Sequence, residues 1–177
     1  MEFAYDLKIP KERIAVLIGK EGSTKSEIES QTNSKIHVDS TEGEVRIIGE
    51  DSLGLYTAKE VIKAIGRGFN PDVAKLLLKP EYSFVMINIQ DFTGSKSSML
   101  RLKGRVIGKE GKSRKVIEDL TDTYIAVYGK TISVVGEIKN VQIAVGAIES
   151  LLEGNTHASV YKWLEKKRRE LVKEVQG

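Results

Sequence analysis

Two glycines three residues apart bracket a lysine and a glutamate in the stretch RVIGKEGKSRKVIE, residues 105–118, and basic residues follow the second glycine. Glycine removes the side chain that would keep a ligand away from the backbone, and the amides at the start of a helix bind anions. Glycine, lysine and serine ahead of a predicted helix therefore indicate a phosphate site. The phosphate could belong to a nucleotide substrate or to a nucleic-acid backbone.

The nucleotide alternative requires the Walker pattern G-x-x-x-x-G-K-[ST], which this stretch does not complete. Gly111, Lys112 and Ser113 supply its last three residues, but Val106 stands where the first glycine is needed. The segment before the loop also has a helical pattern, whereas a Walker loop follows a strand. The sequence therefore argues against nucleotide hydrolysis and favours a polynucleotide backbone as the ligand.

The same loop occurs twice in the chain. Residues 16–38 align without a gap to residues 105–127, so that Gly19-Lys20-Glu21-Gly22 lies over Gly108-Lys109-Glu110-Gly111. Further on, RIIGE aligns with SVVGE after a small change of spacing that falls in a hairpin. Because the changes in spacing fall where loops are expected, the repeat predicts a duplicated domain.

Each copy has the pattern of the element order β-α-α-β-β-α. A strand, FAYDLKI or SFVMINIQ, and a short helix precede the loop, and a second helix follows it, over residues 23–33 or 112–122. Two alternating strands, KIHV and EVRII or YIAV and TISVV, come next, and a long helix closes the copy. Between the copies, NPDVAKLLLKPEY predicts a short helix bounded by prolines, and HASVYKWLEKKRRELVKEV predicts a terminal helix.

Composition argues against several other classes of protein. The chain has 177 residues and no cysteine, which excludes disulfides, thiolate metal ligands and a cysteine nucleophile. No apolar run approaches the ~20 residues of a membrane span, and MEFAYDLKIPKER lacks the pattern of a signal peptide. We expect a soluble, cytoplasmic protein without a cofactor or a metal. The formal net charge is only +3, so its distribution matters more than its sum.

A glycine-bounded loop between two helices lets a polynucleotide backbone pass close to the protein. Lys20 and Lys109 at the loop centres are expected to pair with phosphates, while Glu21 and Glu110 turn away. An apolar groove between the helices and the second strand would hold unstacked bases. This is the design of the KH module, whose Gly-x-x-Gly loop clamps about four nucleotides of a single strand. Both copies resemble KH domains of the eukaryotic-type, or type I, topology.

The second copy has a closer resemblance. RLKGRVIGKEGKSRKVIEDLTDTYIAV, ISVVGEIKNVQIA and GNTHASVY are similar to the ribosome-assembly KH proteins known as partner-of-Nob proteins. The resemblance implies binding to the 3′ end of precursor 16S rRNA of the small subunit, beside a Nob-type PIN-domain endonuclease. Eukaryotic members carry a degraded first loop and a glycine in place of Glu110. The intact first loop and Glu110 therefore indicate an archaeal relative.

Charge distinguishes the two loops. Residues 12–26 have a net charge of +1, and the equivalent residues 101–115 have a net charge of +6. Because phosphate contacts supply most non-specific affinity for nucleic acid, we expect the second copy to dominate RNA binding. The first would be a weaker clamp or a protein-binding surface. The predicted RNA-binding residues are Arg101, Lys103, Arg105, Ile107, Gly108, Lys109, Glu110, Gly111, Lys112, Ser113, Arg114 and Lys115, with Gly19, Lys20, Glu21, Gly22 and Lys25 in the first copy.

The predicted fold is α+β, with two tandem type I KH domains packed together and a C-terminal helix. The first domain with its linker helix is expected over residues 1–80, the second domain over 81–158 and the C-terminal helix over 159–177. The apolar stripe of that last helix, Val160, Trp163, Leu164, Leu171 and Val175, is expected to pack on the second domain. Its basic run KKRR, 166–169, either touches rRNA or is an ordinary ion-paired face.

Three functional hypotheses are open at this stage. The first is a non-enzymatic assembly factor that holds rRNA for the Nob-type endonuclease, with small-subunit assembly or translation factors as further partners. The second is an RNA nuclease, which needs clustered carboxylates. The visible acidic group, Asp39, Glu42 and Glu44, lies at a hairpin without a match in the other copy, and His37 is expected to face outward without a catalytic role. The third is a protein-interaction scaffold whose loops no longer bind nucleic acid.

Overall fold

The computed structural model describes residues 1–176, and the chain divides into two compact units, of which the first ends at Phe84 and the second begins at Val85. The first unit contains β1 (Phe3–Lys8), a 3-10 turn (Lys11–Arg13), α1 (Ile14–Ile18), a 3-10 turn (Lys20–Gly22), α2 (Ser23–Thr32), β2 (Lys35–Asp39), β3 (Glu44–Gly49), α3 (Ser52–Gly66), α4 (Pro71–Ala74) and a 3-10 turn (Lys75–Leu78).

The second unit repeats this order. It contains β4 (Tyr82–Asn88), which spans the point of division, a 3-10 turn (Ile89–Asp91), α5 (Lys96–Ile107), a 3-10 turn (Lys109–Gly111), α6 (Lys112–Thr121), β5 (Tyr124–Tyr128), β6 (Thr131–Glu137), α7 (Ile138–Leu152) and α8 (His157–Gln176). The predicted order β-α-α-β-β-α is confirmed in both units.

Each unit is built on a three-stranded sheet whose last strand is central. The strand orders are β1-β3-β2 and β4-β6-β5. β2 and β3 pair antiparallel with Ile36 opposite Ile47, and β5 and β6 pair antiparallel with Ile125 opposite Val134. These four side chains are buried, as is Ile28 of α2, so each helical layer packs on the apolar face of its own sheet.

The helix before the loop differs between the units. α1 has five residues and follows Pro10, whereas α5 has twelve residues and begins after Ser95, whose hydroxyl accepts a hydrogen bond from Ser98 N. The expectation of a short helix in both copies is therefore wrong for the second. A serine N-cap lets the chain begin a helix well before the loop, because the hydroxyl satisfies an amide that has no partner within the helix.

α8 packs on the core of the second unit through its first half, and Arg168 and Glu174 of its second half make polar contacts with the same unit. Val160 and Leu164 are buried in the core of the second unit, and the Trp163 ring lies over Gly146 of α7. Val175 is 88% exposed, so the expectation that the apolar stripe packs along the whole helix is wrong at this position. Helix α8 extends beyond the core that its first three turns cover.

The terminal helix has a counterpart in the first unit that the repeat did not predict. Gly68 and Gly154 both have φ +104 and end the long helix of their unit. A new helix begins shortly after each glycine, α4 at Pro71 and α8 at His157. The linker helix and the terminal helix are therefore a short and a long version of one repeated element.

One arginine in each unit ties the first helical segment to the end of the long helix. Arg13 donates from Nε to Ile65 O at 2.8 Å and from Nη2 to Phe69 O at 2.8 Å. Arg105 donates from Nε to Leu151 O at 3.0 Å and from Nη2 to Asn155 O. The last carbonyls of a helix lack intrahelical partners, and the guanidinium satisfies them.

No helix within residues 1–176 combines the length and the apolar character needed to cross a lipid bilayer.

Candidate nucleic-acid interface

The two glycine loops have the same backbone conformation. Gly108 has φ 77 and ψ 172, Glu110 has φ 56 and ψ 28, and Gly111 has φ 76 and ψ 12. The corresponding angles in the first loop are 75 and 176 at its first glycine, 55 and 29 at its glutamate, and 76 and 11 at its second glycine. In both loops the second glycine donates its amide to the carbonyl of the first at 3.2 Å.

The two glycines of a loop are needed for different reasons. Gly108 combines positive φ with extended ψ, a region that essentially only glycine adopts. A Cβ on it would lie 2.6 Å from Ser113 N, so the loop and α6 come into direct backbone contact there. Gly111 has the left-handed helical conformation, and a Cβ on it would meet nothing within 4 Å. The first glycine is required by the packing of the loop, and the second leaves open space in front of α6.

The side chains at the loop centre point into solvent. Lys109 and Glu110 are exposed, as are Lys20 and Glu21 in the first loop. The glutamate adopts a left-handed conformation that costs a non-glycine residue about 1–2 kcal/mol. A lysine held at the tip of a turn can pair with a phosphate. That the carboxylate turns away from this phosphate stays a prediction.

The start of α6 has amides that no side chain caps. Gly111 is its N-cap residue, no capping side chain accepts a hydrogen bond there, and the first turn contains no acidic residue. The first amides of a helix have no intrahelical acceptor, and the helix dipole places partial positive charge at this end. Lys112 N donates to Lys109 O of the preceding turn, and the amides after it offer donors to an anion that approaches over Gly111.

Most of the predicted cations surround this point. Arg101, Lys109, Lys112, Arg114 and Lys115 are exposed, and Lys103 is half-buried. The Nε atom of Arg114 lies 3.7 Å from Glu118 Oε1, which is a loose surface ion pair of small energetic weight. The structure thus leaves these charges available on the surface of the second unit.

Other predicted RNA-binding residues have side chains engaged within the protein. Arg105 caps the end of α7, and Lys25 donates from Nζ to Ile36 O at 3.0 Å. Ser113 is 1% exposed and lies beneath Gly108, and Ile107 is half-buried. The side chain of Ser113 lies beneath the loop rather than at its exposed tip, on the face of α6 that Ile117 shares. The side chains of Arg105 and Lys25 therefore join elements next to their own loops rather than extend into solvent.

In each unit, a glutamate on the helix after the loop joins that helix to the edge strand beside the predicted base groove. Glu118 Oε2 accepts from Ile125 N at 2.9 Å, which joins α6 to the edge strand β5. Glu29 Oε2 accepts from Ile36 N at 2.8 Å and joins α2 to β2. The predicted base groove lies between these joined elements. These two carboxylates were not predicted as site residues, although they stand at equivalent positions of the repeat.

The acidic and histidine candidates do not form a metal site. Within residues 1–176 no group of three or more histidine, aspartate or glutamate side chains is placed to hold a metal ion. Asp39 Oδ1 accepts from Thr41 N at 2.9 Å and from Glu42 N at 3.4 Å, so this carboxylate closes the β2–β3 hairpin. His37 is exposed on its strand, as expected.

The basic run on α8 is partly engaged with the protein. Arg168 donates from Nη1 to Asp119 O at 3.0 Å and to Leu120 O at 3.2 Å, which caps the end of α6. Lys167 lies 3.4 Å from Glu170. These contacts favour an ion-paired helix face at two of the four positions. The other two, Lys166 and Arg169, are exposed.

Two residues at the start of α8 lie near the second loop and were not assigned from sequence. His157 Nε2 is 2.8 Å from Arg105 O, and the rings of His157 and Tyr161 are 6.0 Å apart. Both belong to the segment GNTHASVY, whose resemblance to a known family was the only signal in the sequence that could have pointed to them.

Comparison with known protein families agrees with the duplicated architecture. Residues 83–169 match the second KH domain of PNO1, described as a eukaryotic type KH-domain (KH-domain type I). Residues 5–64 match the KH domain family.

The chain has similar relatives in archaea and eukaryotes. It is 48% identical over 169 residues to the KH domain-containing protein MJ0443 of Methanocaldococcus jannaschii, which covers 93% of this chain and 74% of that protein. It is 30% identical over 119 residues to the pre-rRNA-processing protein pno1 of Aspergillus fumigatus, which covers 66% of this chain and 47% of that protein. The chain therefore spans less than half the length of this eukaryotic relative.

A solved structure has the same fold over nearly the whole chain. A chain of the crystal structure of the a/eIF2alpha-aDim2p-rRNA complex from Pyrococcus horikoshii OT3 matches with a TM-score of 0.89 and 42% sequence identity. The match covers 96% of each chain, so both units and the terminal region have counterparts in that protein.

Proposed function

Because the chain belongs to the family of tandem KH-domain proteins that includes the PNO1 and Dim2 proteins, we propose that it binds single-stranded rRNA at its second glycine loop. The proposed ligand is the 3′ end of precursor 16S rRNA in the assembling small subunit. The proposed role is to hold that end for a Nob-type endonuclease in the cytoplasm, without catalysing cleavage itself.

One observation carries this proposal. The second loop combines open space at Gly111, uncapped amides at the start of α6 and a net charge of +6 over residues 101–115. Each feature alone occurs in ordinary surface helices, but together they form a site that attracts and contacts a polynucleotide backbone. The relative from Aspergillus is a pre-rRNA-processing protein, and the solved complex contains rRNA, which makes rRNA the first ligand to test.

The mechanism is positioning. The RNA backbone crosses the loop over Gly111, where its phosphates meet the amides of α6 and the ammonium of Lys109. Unstacked bases then lie in the groove between α6 and the edge strand β5. KH modules hold about four nucleotides in this way. A strand held this way is immobilised next to the groove and stays accessible to a nuclease on either side.

The first unit is proposed as a weaker second clamp. Its loop has the same backbone angles, so the approach of a strand over Gly22 is equally open. Its flanking residues 12–26 carry a net charge of only +1. Because non-specific affinity follows the number of phosphate contacts, the first unit should bind RNA with a smaller dependence on salt.

The test is fluorescence anisotropy with a labelled oligonucleotide of the small-subunit rRNA 3′ end, titrated with the intact chain at several salt concentrations. A scrambled RNA and a DNA of the same sequence serve as controls for specificity. We expect salt-dependent binding that prefers the rRNA sequence, together with an intact oligonucleotide on a denaturing gel after long incubation. Cleavage that a chelator abolishes would support a nuclease instead, and absence of salt-sensitive binding would support a scaffold.

A further inference from the structure

A second concave surface lies beside the loop of the second unit. A cleft of roughly 460 Å³ opens between the end of α5, the loop, the start of α6 and the first turns of α8. Four cations line it, Arg101, Arg105, Lys109 and Lys112, together with the rings of His157 and Tyr161. No carboxylate is among its lining residues.

This cleft is separate from the predicted base groove. On α6, the Glu118 side chain contacts β5, whereas Leu120, two residues later and so on nearly the opposite face of the helix, lines a surface with Arg168 of α8. β5 and α8 therefore flank α6 on different sides. The cleft lies on the side of α8, and the base groove lies on the side of β5, so the glycine loop separates the two surfaces.

The walls of the cleft are held in place by contacts within the protein. His157 Nε2 lies 2.8 Å from Arg105 O, and because a carbonyl only accepts, this nitrogen carries the hydrogen. The His157 and Tyr161 rings meet edge to face at 66°. The guanidinium of Arg105 is tied to the end of α7. A ligand would meet a cleft that is already formed, which lowers the entropy lost on binding.

The chemistry of the cleft suits a phosphate with a base beside it. Ser113 lies in its wall, 1% exposed, and its hydroxyl has no hydrogen-bond partner among the described residues. The uncapped start of α6 and the exposed cations Arg101, Lys109 and Lys112 add donors and positive charge. The half-buried Tyr161 offers an aromatic face on which a base can stack, as in many single-strand binding sites.

The first unit does not have this combination. At the positions equivalent to the cations Arg101 and Lys112, the first unit has Glu12 and Ser23. Ala15 replaces Gly104, and Pro71 and Lys75 replace the two aromatic residues. Lys75 is also engaged, since its Nζ lies 2.8 Å from Glu27 Oε2. The cleft is thus a property of the second unit rather than a by-product of the repeated fold.

We propose that the cleft is a second RNA subsite, which binds a backbone phosphate and stacks the adjoining base on Tyr161. The nucleotide bound there is the one that follows the strand across the glycine loop, beyond those held in the base groove. The subsite rests on the proposed function, because it extends the path of the same strand. It predicts that the second unit binds more nucleotides than a KH groove alone.

Gly104 supplies a sharp test because a side chain there fills the cleft without clashing. A Cβ on Gly104 meets nothing within 4 Å, and leucine is a better helix former than glycine, so Gly104→Leu should fold at least as well as the parent chain. Ala15→Leu is the matched control, since Ala15 is the exposed equivalent on α1.

The readout is the affinity of each variant for a four-nucleotide RNA and for a ten-nucleotide RNA that extends it at both ends. Stacking of one base is worth ~5-fold or more in affinity. We expect Gly104→Leu to weaken binding of the longer RNA by about that factor and to leave binding of the shorter RNA unchanged, while Ala15→Leu affects neither. Equal losses for both lengths, or no loss for either, would overturn the subsite. Failure of the parent chain to bind either RNA would instead refute the proposed function.

Discussion

Alanine at each glycine of the second loop should separate the demands of folding from those of RNA binding. Gly108→Ala places a Cβ 2.6 Å from Ser113 N in a backbone region that essentially only glycine adopts. Strain of this kind costs about 1–3 kcal/mol, and a steric overlap in a packed region adds about 1–3 kcal/mol. Gly111→Ala has only the left-handed conformation to overcome, at about 1–2 kcal/mol, because its Cβ meets nothing within 4 Å.

Urea denaturation followed by circular dichroism measures the free energy of unfolding of each variant, and anisotropy with the rRNA oligonucleotide measures its RNA affinity. We expect Gly108→Ala to lower the free energy of unfolding by about 2–6 kcal/mol, the sum of the two costs. Gly111→Ala should lower it by only about 1–2 kcal/mol, yet it should weaken RNA binding in protein that is fully folded, because its methyl group occupies the open space over α6.

The first loop provides matched controls for both changes. A Cβ on Gly19 would lie 2.8 Å from Thr24 N, whereas a Cβ on Gly22 would meet nothing within 4 Å. Gly19→Ala should therefore destabilise like Gly108→Ala, and Gly22→Ala should have little effect on RNA affinity. Equal destabilisation by the two alanines of the second loop, or unchanged RNA affinity of folded Gly111→Ala, would refute this division of roles.

Three further outcomes follow from contacts away from the loop tip. Arg105→Ala leaves the last carbonyls of α7 without their donor, so it should lower the free energy of unfolding by about 1.5–3 kcal/mol, as measured by urea denaturation. Gly146→Val should displace the ring of Trp163, the only tryptophan, which lies 3.1 Å from the position of a Cβ, and should shift its fluorescence emission to longer wavelength. The hydrogen bond from Lys75 to Glu27 raises the pKa of Lys75. The folded state therefore gains stability from this pair below the usual pKa of lysine, and it loses that stability as pH rises through the pKa of Lys75 in the folded protein. An NMR titration should show a lower pKa of Lys75 in Glu27→Gln.

The local features of the fold were predictable because they depend on neighbours in the chain. The alternation in KIHV and YIAV places Ile36 and Ile125 inward, and both are buried. The spacing of the glycines likewise predicts a loop between two helices. Burial of Ser113 was also available from the sequence, since it precedes Ile117 by one helical turn and so shares its inward face.

The contacts that cross the fold were not predictable in the same way. Arg105 caps a helix that ends far along the chain, at Leu151. Its counterpart Arg13 stands at a different distance from the loop glycine, so an alignment without gaps does not pair the two arginines. The correspondence between α4 and α8 was not predictable for a related reason. Each follows a glycine at the end of the long helix of its unit, but the two helices do not share a sequence pattern.

The central claim is that the second glycine loop is the main RNA clamp. The measurement that tests it most directly compares rRNA binding of the intact chain with two double variants, Lys109→Asp plus Glu110→Asp and Lys20→Asp plus Glu21→Asp. Aspartate tolerates the left-handed position of the glutamate, and circular dichroism verifies that each variant folds.

Binding should fall mainly in the variant of the second loop, with a smaller salt dependence because a phosphate contact is lost. The variant of the first loop should retain most of the affinity. Equal, tight binding by all three proteins would contradict the account and would place the RNA elsewhere on the molecule.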